Sequence, residues 1–152
     1  MTIKTAIEHL DKNATDEVFW LGPVDLEQID ILENNLGIKL PLDFKEFLHL
    51  VGGGGVIGEE ISGVVDNNAL EESGGAVFYD TNYCRTEFSL PENYAVIYFK
   101  DDEVCWCIDC GGKTFGRVIN YDLFSRKETN TLNASFSEFF DNYVKYGHDF
   151  FK

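Results

Sequence analysis

The densest run of potentially reactive side chains is Cys105-Trp106-Cys107-Ile108-Asp109-Cys110, in which three thiols follow a CxCxxC spacing. Thiolates at such spacings hold zinc when a second Cys or His pair completes a tetrahedron, and they do redox chemistry when a CxxC opens a helix. The remaining candidates, Cys84, His9, His49 and His148, are isolated from one another, so no second cluster exists and no metal is expected. Read as a strand, the run turns Val104, Trp106 and Ile108 to one face and Cys105 and Cys107 to the other, as suits small side chains packed there. Gly52 to Gly55 invites comparison with a phosphate loop, but no Lys-Ser/Thr follows and Glu59-Glu60 would repel the anion. It reads as a helix stop and turn. His49 lies in a helical pattern and has no Ser or Cys that sequence can place beside it as a nucleophile. Carboxylates are too numerous for any pair to stand out. The expectation is no enzyme, no catalytic residue and no cofactor.

The elements that carry these residues belong to a short, acidic chain. Among 152 residues, 27 Asp and Glu face 12 Lys and Arg, and the formal charge of −15 is spread along the chain rather than gathered in a tail. Such a field repels nucleic acid and anionic membranes and attracts basic surfaces, although the same acidity also serves solubility. With 13 Phe, 7 Tyr and 2 Trp the chain has enough apolar area to fold, and a chain of this size buries roughly 70% of its unfolded surface in one ordinary core. No apolar run approaches the ~20 residues of a membrane helix, and MTIKTAIEHLDKN is polar where a signal peptide would be apolar. The expected location is cytoplasmic, with reduced thiols.

Periodicity outlines the elements. Ile3, Ile7 and Leu10 predict a short helix over 3–10, and Val18 to Trp20 a brief extended piece. In GPVDLEQIDILENNLG, Asp25 and Gln28 suit a capping box, Leu26, Ile29, Leu32 and Leu36 form a stripe, and Gly37 closes the helix. Pro41 suits the first turn of a second helix bearing Phe44, Phe47, Leu48 and Val51, which Gly52 to Gly55 stops. Val56-Ile57 and Ile61 to Val65 are the first expected strands; Ala76 to Phe88 fits helix or strand, with Phe78, Tyr79, Tyr83 and Phe88 as a possible helical face. Tyr94 to Phe99 and Val104 to Ile108 should pair antiparallel across Lys100-Asp101-Asp102-Glu103, followed by a strand over Arg117 to Tyr121. Ser135 with Glu138 makes a capping box before Phe136, Phe139, Phe140, Tyr143 and Val144. No repeat or linker divides the chain, so the expectation is one α+β domain over 1–152, with helices packed on an antiparallel β-sheet.

The stretch Ile29 to Gly55, IxxLExxLGIKLPxDFKEFLxxVGGGG, resembles the N-terminal signature of the SUKH superfamily, which includes the Smi/Knr-type proteins. Matching positions are Ile29, Leu32, Glu33, Leu36, Gly37, Leu40, Pro41, Asp43, Phe44, Phe47, Leu48, Gly53 and Gly54; Val51 and Gly52 stand where relatives usually carry an Asn. The C-terminal half matches in outline, through Cys107-Ile108-Asp109, Val118 to Tyr121 and SFSEFF. The resemblance implies the SUKH fold and, for bacterial members, a cytosolic immunity protein that neutralises a cognate polymorphic toxin, often a nuclease or nucleic-acid deaminase. The alternative it implies is a Smi/Knr-like scaffold in cell-wall assembly or envelope signalling. Such scaffolds usually sit in longer chains with disordered flanks, and this bare domain favours immunity. Neither role implies catalysis. Glu33 is either a partner contact or a side chain bonding locally to fix the next helix start.

A toxin that handles nucleic acid must present Lys and Arg where phosphates lie, and an inhibitor can meet that surface with loop carboxylates. Three loops qualify as the partner-binding surface: Glu59-Glu60, Glu71-Glu72 and Asp101-Asp102-Glu103. The expected partner is therefore a protein with a basic active-site surface, not nucleic acid or membrane.

Overall fold

The computed structural model describes residues 1–147, and within them the chain is α+β, with five α-helices and two antiparallel sheets. Helix α1 (Ile3–Asn13) starts where the Thr2 hydroxyl accepts from Thr5 N at 3.1 Å, and it buries Ile3, Ala6, Ile7 and Leu10. Strand β1 (Val18–Trp20) follows.

Helix α2 (Leu26–Leu36) begins after Asp25, but the expected capping box is absent. Asp25 Oδ2 accepts instead from Asn67 Nδ2, and Gln28 Oε1 accepts from Ala69 N, both at 2.9 Å. The two side chains tie α2 to the 65–69 loop, a tertiary use of residues with local potential. Leu26 also leaves the predicted stripe and is exposed, while Ile29, Leu32, Glu33 and Leu36 are buried. Gly37, at φ 70°, ends the helix in the left-handed conformation that glycine adopts without steric penalty. Helix α3 (Leu42–Val51) follows with Pro41 at the N-cap, one position before the expected first turn.

Gly52 stops α3, but the glycine run is more than a turn, because Gly54–Val56 forms β2, paired antiparallel with β1. The expected strand over Ile61 to Val65 does not form. Its amides go to separate segments: Ile61 N to Gly54 O, Ser62 N to Ile97 O, Gly63 N to Gly75 O and Val64 N to Gly52 O. The segment stitches four backbones together and cannot also run a ladder with one. Ile57 likewise falls outside β2.

Helix α4 (Val77–Phe88) resolves the ambiguous stretch as helix. Its buried stripe is Val77, Asp80, Thr81 and Cys84, spaced i, i+3, i+4 and i+7, and the aromatic face lies beside that stripe rather than on it. Strands β3 (Tyr94–Lys100), β4 (Val104–Asp109), β5 (Val118–Asp122) and β6 (Lys127–Asn133) form a meander in the order β3-β4-β5-β6. Strand β6, KETNTLN, is missing from the periodicity reading because it is exposed from Lys127 to Thr131, with no apolar alternation to read. Helix α5 (Phe136–Tyr146) starts with Ser135 Oγ accepting from Glu138 N at 3.1 Å. The second half of the expected box is replaced, since Glu138 Oε1 accepts from Asn133 Nδ2 at the end of β6.

The sheet separates two cores. Ala95, Ile97, Ile108 and Val118 face the larger one with α1, α2, α3 and α5, where the rings of Phe44, Phe47, Phe136 and Phe140 meet at centroid distances of 4.9–6.0 Å. Tyr94, Val96, Cys105, Cys107, Ile119 and Tyr121 face the smaller one beneath α4, with Cys84 and Leu90. Each fully buried Phe contributes roughly 2–3 kcal/mol of burial free energy, so the aromatic group common to α3 and α5 dominates the packing.

Candidate protein-binding face

The signature residues are occupied inside the fold. Glu33 is 2% exposed; its Oε2 accepts from Leu40 N at 2.7 Å, and Lys45 Nζ lies 3.4 Å from the same oxygen. The carboxylate therefore pins the link that sets the start of α3. Asp43 does the corresponding work for α5, its Oδ1 accepting from Phe44 N and its Oδ2 from both the amide and the hydroxyl of Ser137. Leu40, Phe44, Phe47 and Leu48 are buried in the larger core, and Pro41 is buried beside Leu40. A Cβ on Gly53 would come within 2.7 Å of Gly63 Cα, and one on Gly54 within 2.3 Å of Phe19 O, so both positions are set by backbones crossing in contact. His49 donates from Nδ1 to Val24 O at 2.8 Å and holds the α2 approach.

The thiols divide between the two faces of the sheet. Cys105 Sγ lies 3.9 Å from Cys84 Sγ and 3.6 Å from Cys107 Sγ in the smaller core, whereas Cys110 packs toward the larger one beside Glu33 and Ile38. The CxCxxC run does not converge. Among the described residues no group of three or more His, Cys, Asp and Glu side chains is arranged to hold a metal ion, and His148 lies outside those residues. Thiol–thiol contact and then burial raise the pKa of Cys84 above the ordinary thiol range, and the contact with Cys107 raises that of Cys105. Burial pushes Cys110 up to about 12, with the charges of Asp109 and Glu33 adding to it. Thiols so protonated are poor nucleophiles at neutral pH. Asp109 is saturated as well. Burial alone would raise its pKa, but donors from Thr114, Gly111, Asn93 and Arg117 outweigh that and hold it low, fixing the 109–117 loop to β4.

The three acidic loops fare differently. Glu59 is drawn inward: the Tyr98 hydroxyl donates to its Oε2, Lys100 Nζ pairs with its Oε1 at 3.2 Å, and the Tyr143 hydroxyl donates to its carbonyl. It braces the 57–60 turn against β3 and α5. Glu71 is half-buried, its Oε2 accepting from Asn68 Nδ2. Glu60, Glu72, Asp101, Asp102 and Glu103 are exposed. Asp101 and Asp102 have φ of 55° and 54°, the paired positive values of a type I′ hairpin turn, which Asp tolerates because its short side chain can bond locally.

Four of these carboxylates line depressions that each contain one ring of a single aromatic group. The rings of Tyr83, Phe88 and Phe99 pack against one another with centroids 5.7–6.4 Å apart, between α4 and the end of β3. Three surface depressions open from that triad. Phe99 lines one of about 410 Å³ with Glu60 and Phe19, and Tyr83 one of about 310 Å³ with Glu72, Tyr79 and Glu87. Phe88 lines a third, of about 300 Å³, with Asp102, Glu103, Asp122 and Phe124. Partial desolvation and the charges of Asp102 and Glu87 raise the Tyr83 pKa above the usual phenol range, so its hydroxyl remains a donor here. Sequence reading missed Glu87, Asp122 and all the aromatic members. The signal available was the surplus of rings in 76–88 over what one buried stripe can hold.

The SUKH_5 family model, described as SMI1-KNR4 cell-wall, matches residues 3–145. The chain belongs to this family. The match spans both the Glu33–Gly54 scaffold and the acidic, aromatic face, and membership accords with an immunity or a Smi/Knr-like role for a partner-binding protein. Among the described residues, no helix is long and apolar enough to cross a membrane.

Proposed function

We propose that this SUKH member is a cytoplasmic immunity-type protein, one domain over 1–152, that binds a cognate toxin domain and blocks its basic, nucleic-acid-handling surface without catalysis or cofactor. The carrying observation is the grouping of Glu60, Glu72, Asp102 and Glu103 with Glu87 and Asp122 around the Tyr83–Phe88–Phe99 triad. Carboxylates supply steering and register, while the exposed rings of Phe19, Tyr79 and Phe124 that line the same depressions supply area that gains free energy when covered. Lys100 is already paired with Glu59, so its charge opposes a basic partner little. The toxin expected is a nuclease or nucleic-acid deaminase.

The test looks first for a secreted protein with a toxin-like C-terminal domain encoded beside this gene, and then uses that domain. Purified chain should inhibit that domain at one-to-one stoichiometry, and co-expression should rescue growth. Full toxin activity in the presence of excess chain overturns the reading. The family description favours a second reading, a regulatory scaffold in cell-wall assembly; it predicts a neighbouring gene of envelope function and altered wall morphology on deletion.

A further inference from the structure

The third depression has a composition that acidity alone does not explain. It is lined by three apolar residues, Phe88, Leu123 and Phe124, and by three acidic ones, Asp102, Glu103 and Asp122. Phe124 is 98% exposed, the most exposed large apolar side chain among the described residues. The β5–β6 turn holds it there: Asp122 Oδ1 accepts from Phe124 N at 3.0 Å, Oδ2 accepts from Ser125 Oγ at 2.9 Å, and Arg126 takes φ 59°. A ring fixed in water by its own turn forfeits its burial free energy unless something covers it. Whatever covers it must also face three carboxylates within a cavity of about 300 Å³. An anion is repelled and a neutral aliphatic chain leaves those charges desolvated, whereas a cation is attracted. Among cations the flat, weakly hydrated guanidinium can lie on an aromatic ring and present its edge to carboxylates, while a compact ammonium remains strongly hydrated.

We propose that this notch is an arginine-docking site, where a guanidinium from the basic surface of a protein partner stacks on Phe124 and Phe88 and donates to Asp102, Glu103 and Asp122. It deepens the reading above and rests on it for the partner's identity, naming arginine as the group by which the toxin surface is recognised. Arg126 borders the site and leaves it open, since its guanidinium spans Ser89 Oγ and Glu87 O, 3.2 and 3.4 Å away.

Nitrogen-15-labelled protein is titrated at low salt with two blocked pentapeptides, Gly-Arg-Gly-Arg-Gly and Gly-Lys-Gly-Lys-Gly. The arginine peptide should shift the amides of 102–103 and 122–125 and bind about threefold tighter than the lysine peptide. Phe124→Ala, at an exposed position, should bring the arginine peptide to the lysine level, and D102N with E103Q should weaken both. Equal affinities, shifts centred elsewhere, or no binding by either peptide would overturn the site. An arginine preference in a chain that fails to inhibit the toxin overturns the immunity reading alone. Toxin inhibition with no arginine preference, unchanged in Phe124→Ala, overturns the notch alone.

Discussion

Asp80 carries its carboxyl into the space between α4 and the 61–64 crossing, where Ser62 Oγ donates to Oδ2 at 2.8 Å and Gly75 N approaches both oxygens at 3.3–3.4 Å. Burial raises its pKa from 3.8 to about 6, because those donors only partly replace the lost water. The folded state therefore prefers the protonated acid. Its stabilising contribution is complete below about pH 3.8 and is lost as pH rises through about 6. At pH 7.5 the buried charge costs about 2–3 kcal/mol relative to the protonated form. Asp80→Asn removes that titration, so the stability difference, variant minus wild type, should grow by about that amount between pH 4 and 7.5 in urea unfolding. A flat difference would mean that the Asp80 pKa is the same in the folded and unfolded states. Glu33 and Asp43 instead accept from main-chain amides, Glu33 from Leu40 N in the link before α3 and Asp43 from Ser137 N in the first turn of α5.

Between elements, the decisive contact is backbone on backbone. Gly63 has an ordinary φ, yet a Cβ there would lie 1.8 Å from Gly52 O and 2.6 Å from Gly53 Cα, and neither can yield without moving β2 and the end of α3. Gly63→Ala should therefore destabilise by at least about 3 kcal/mol or abolish folding, since overpacking against main chain cannot relax through rotamers. Gly74→Ala is the matched control. Its Cβ meets nothing within 4 Å, and its stability should be unchanged or higher by up to about 1 kcal/mol. Equal thermal midpoints for the two variants would remove the crossing as a determinant of the fold.

At the scale of the whole molecule, the proposed role gives the −15 charge a testable effect on association. Steering by the α4 and hairpin-tip face is screened beyond a Debye length of about 8 Å at 0.15 M salt. On the immunity reading proposed above, the association rate with the toxin domain should fall at least about tenfold between 0.02 and 0.5 M salt. Replacing Asp102 and Glu103 with Asn and Gln should lower the rate and flatten that dependence, with thermal stability almost unchanged because both residues are exposed. A salt-independent rate, measured by stopped-flow fluorescence, would assign the charge to solubility alone.

Local pattern carried much of this protein. The apolar spacings of 3–10, 44–51 and 136–144, the Gly37 and Gly52 stops and the β3–β4 hairpin each depend on interactions a few residues apart, so their side chains alone determine them. The motif at Glu33 to Gly54 was likewise legible, as was the alternation that sends Cys105 and Cys107 to the face opposite Trp106. Tertiary structure decided what long-range partners control. Asp25 and Gln28 gave up a local cap for Asn67 and Ala69, Ile61 to Val65 became a stitch to three other backbone segments, and a polar β6 formed because β5 offered it a ladder. Tertiary structure also sorted the acidic loops, drawing Glu59 to Tyr98 and Lys100 and placing Glu60 in one depression with Phe99, Glu72 in one with Tyr83, and Asp102 and Glu103 in one with Phe88. A carboxylate's role depends on which donors lie within 3 Å of it in space, and spacing along the chain does not encode that distance.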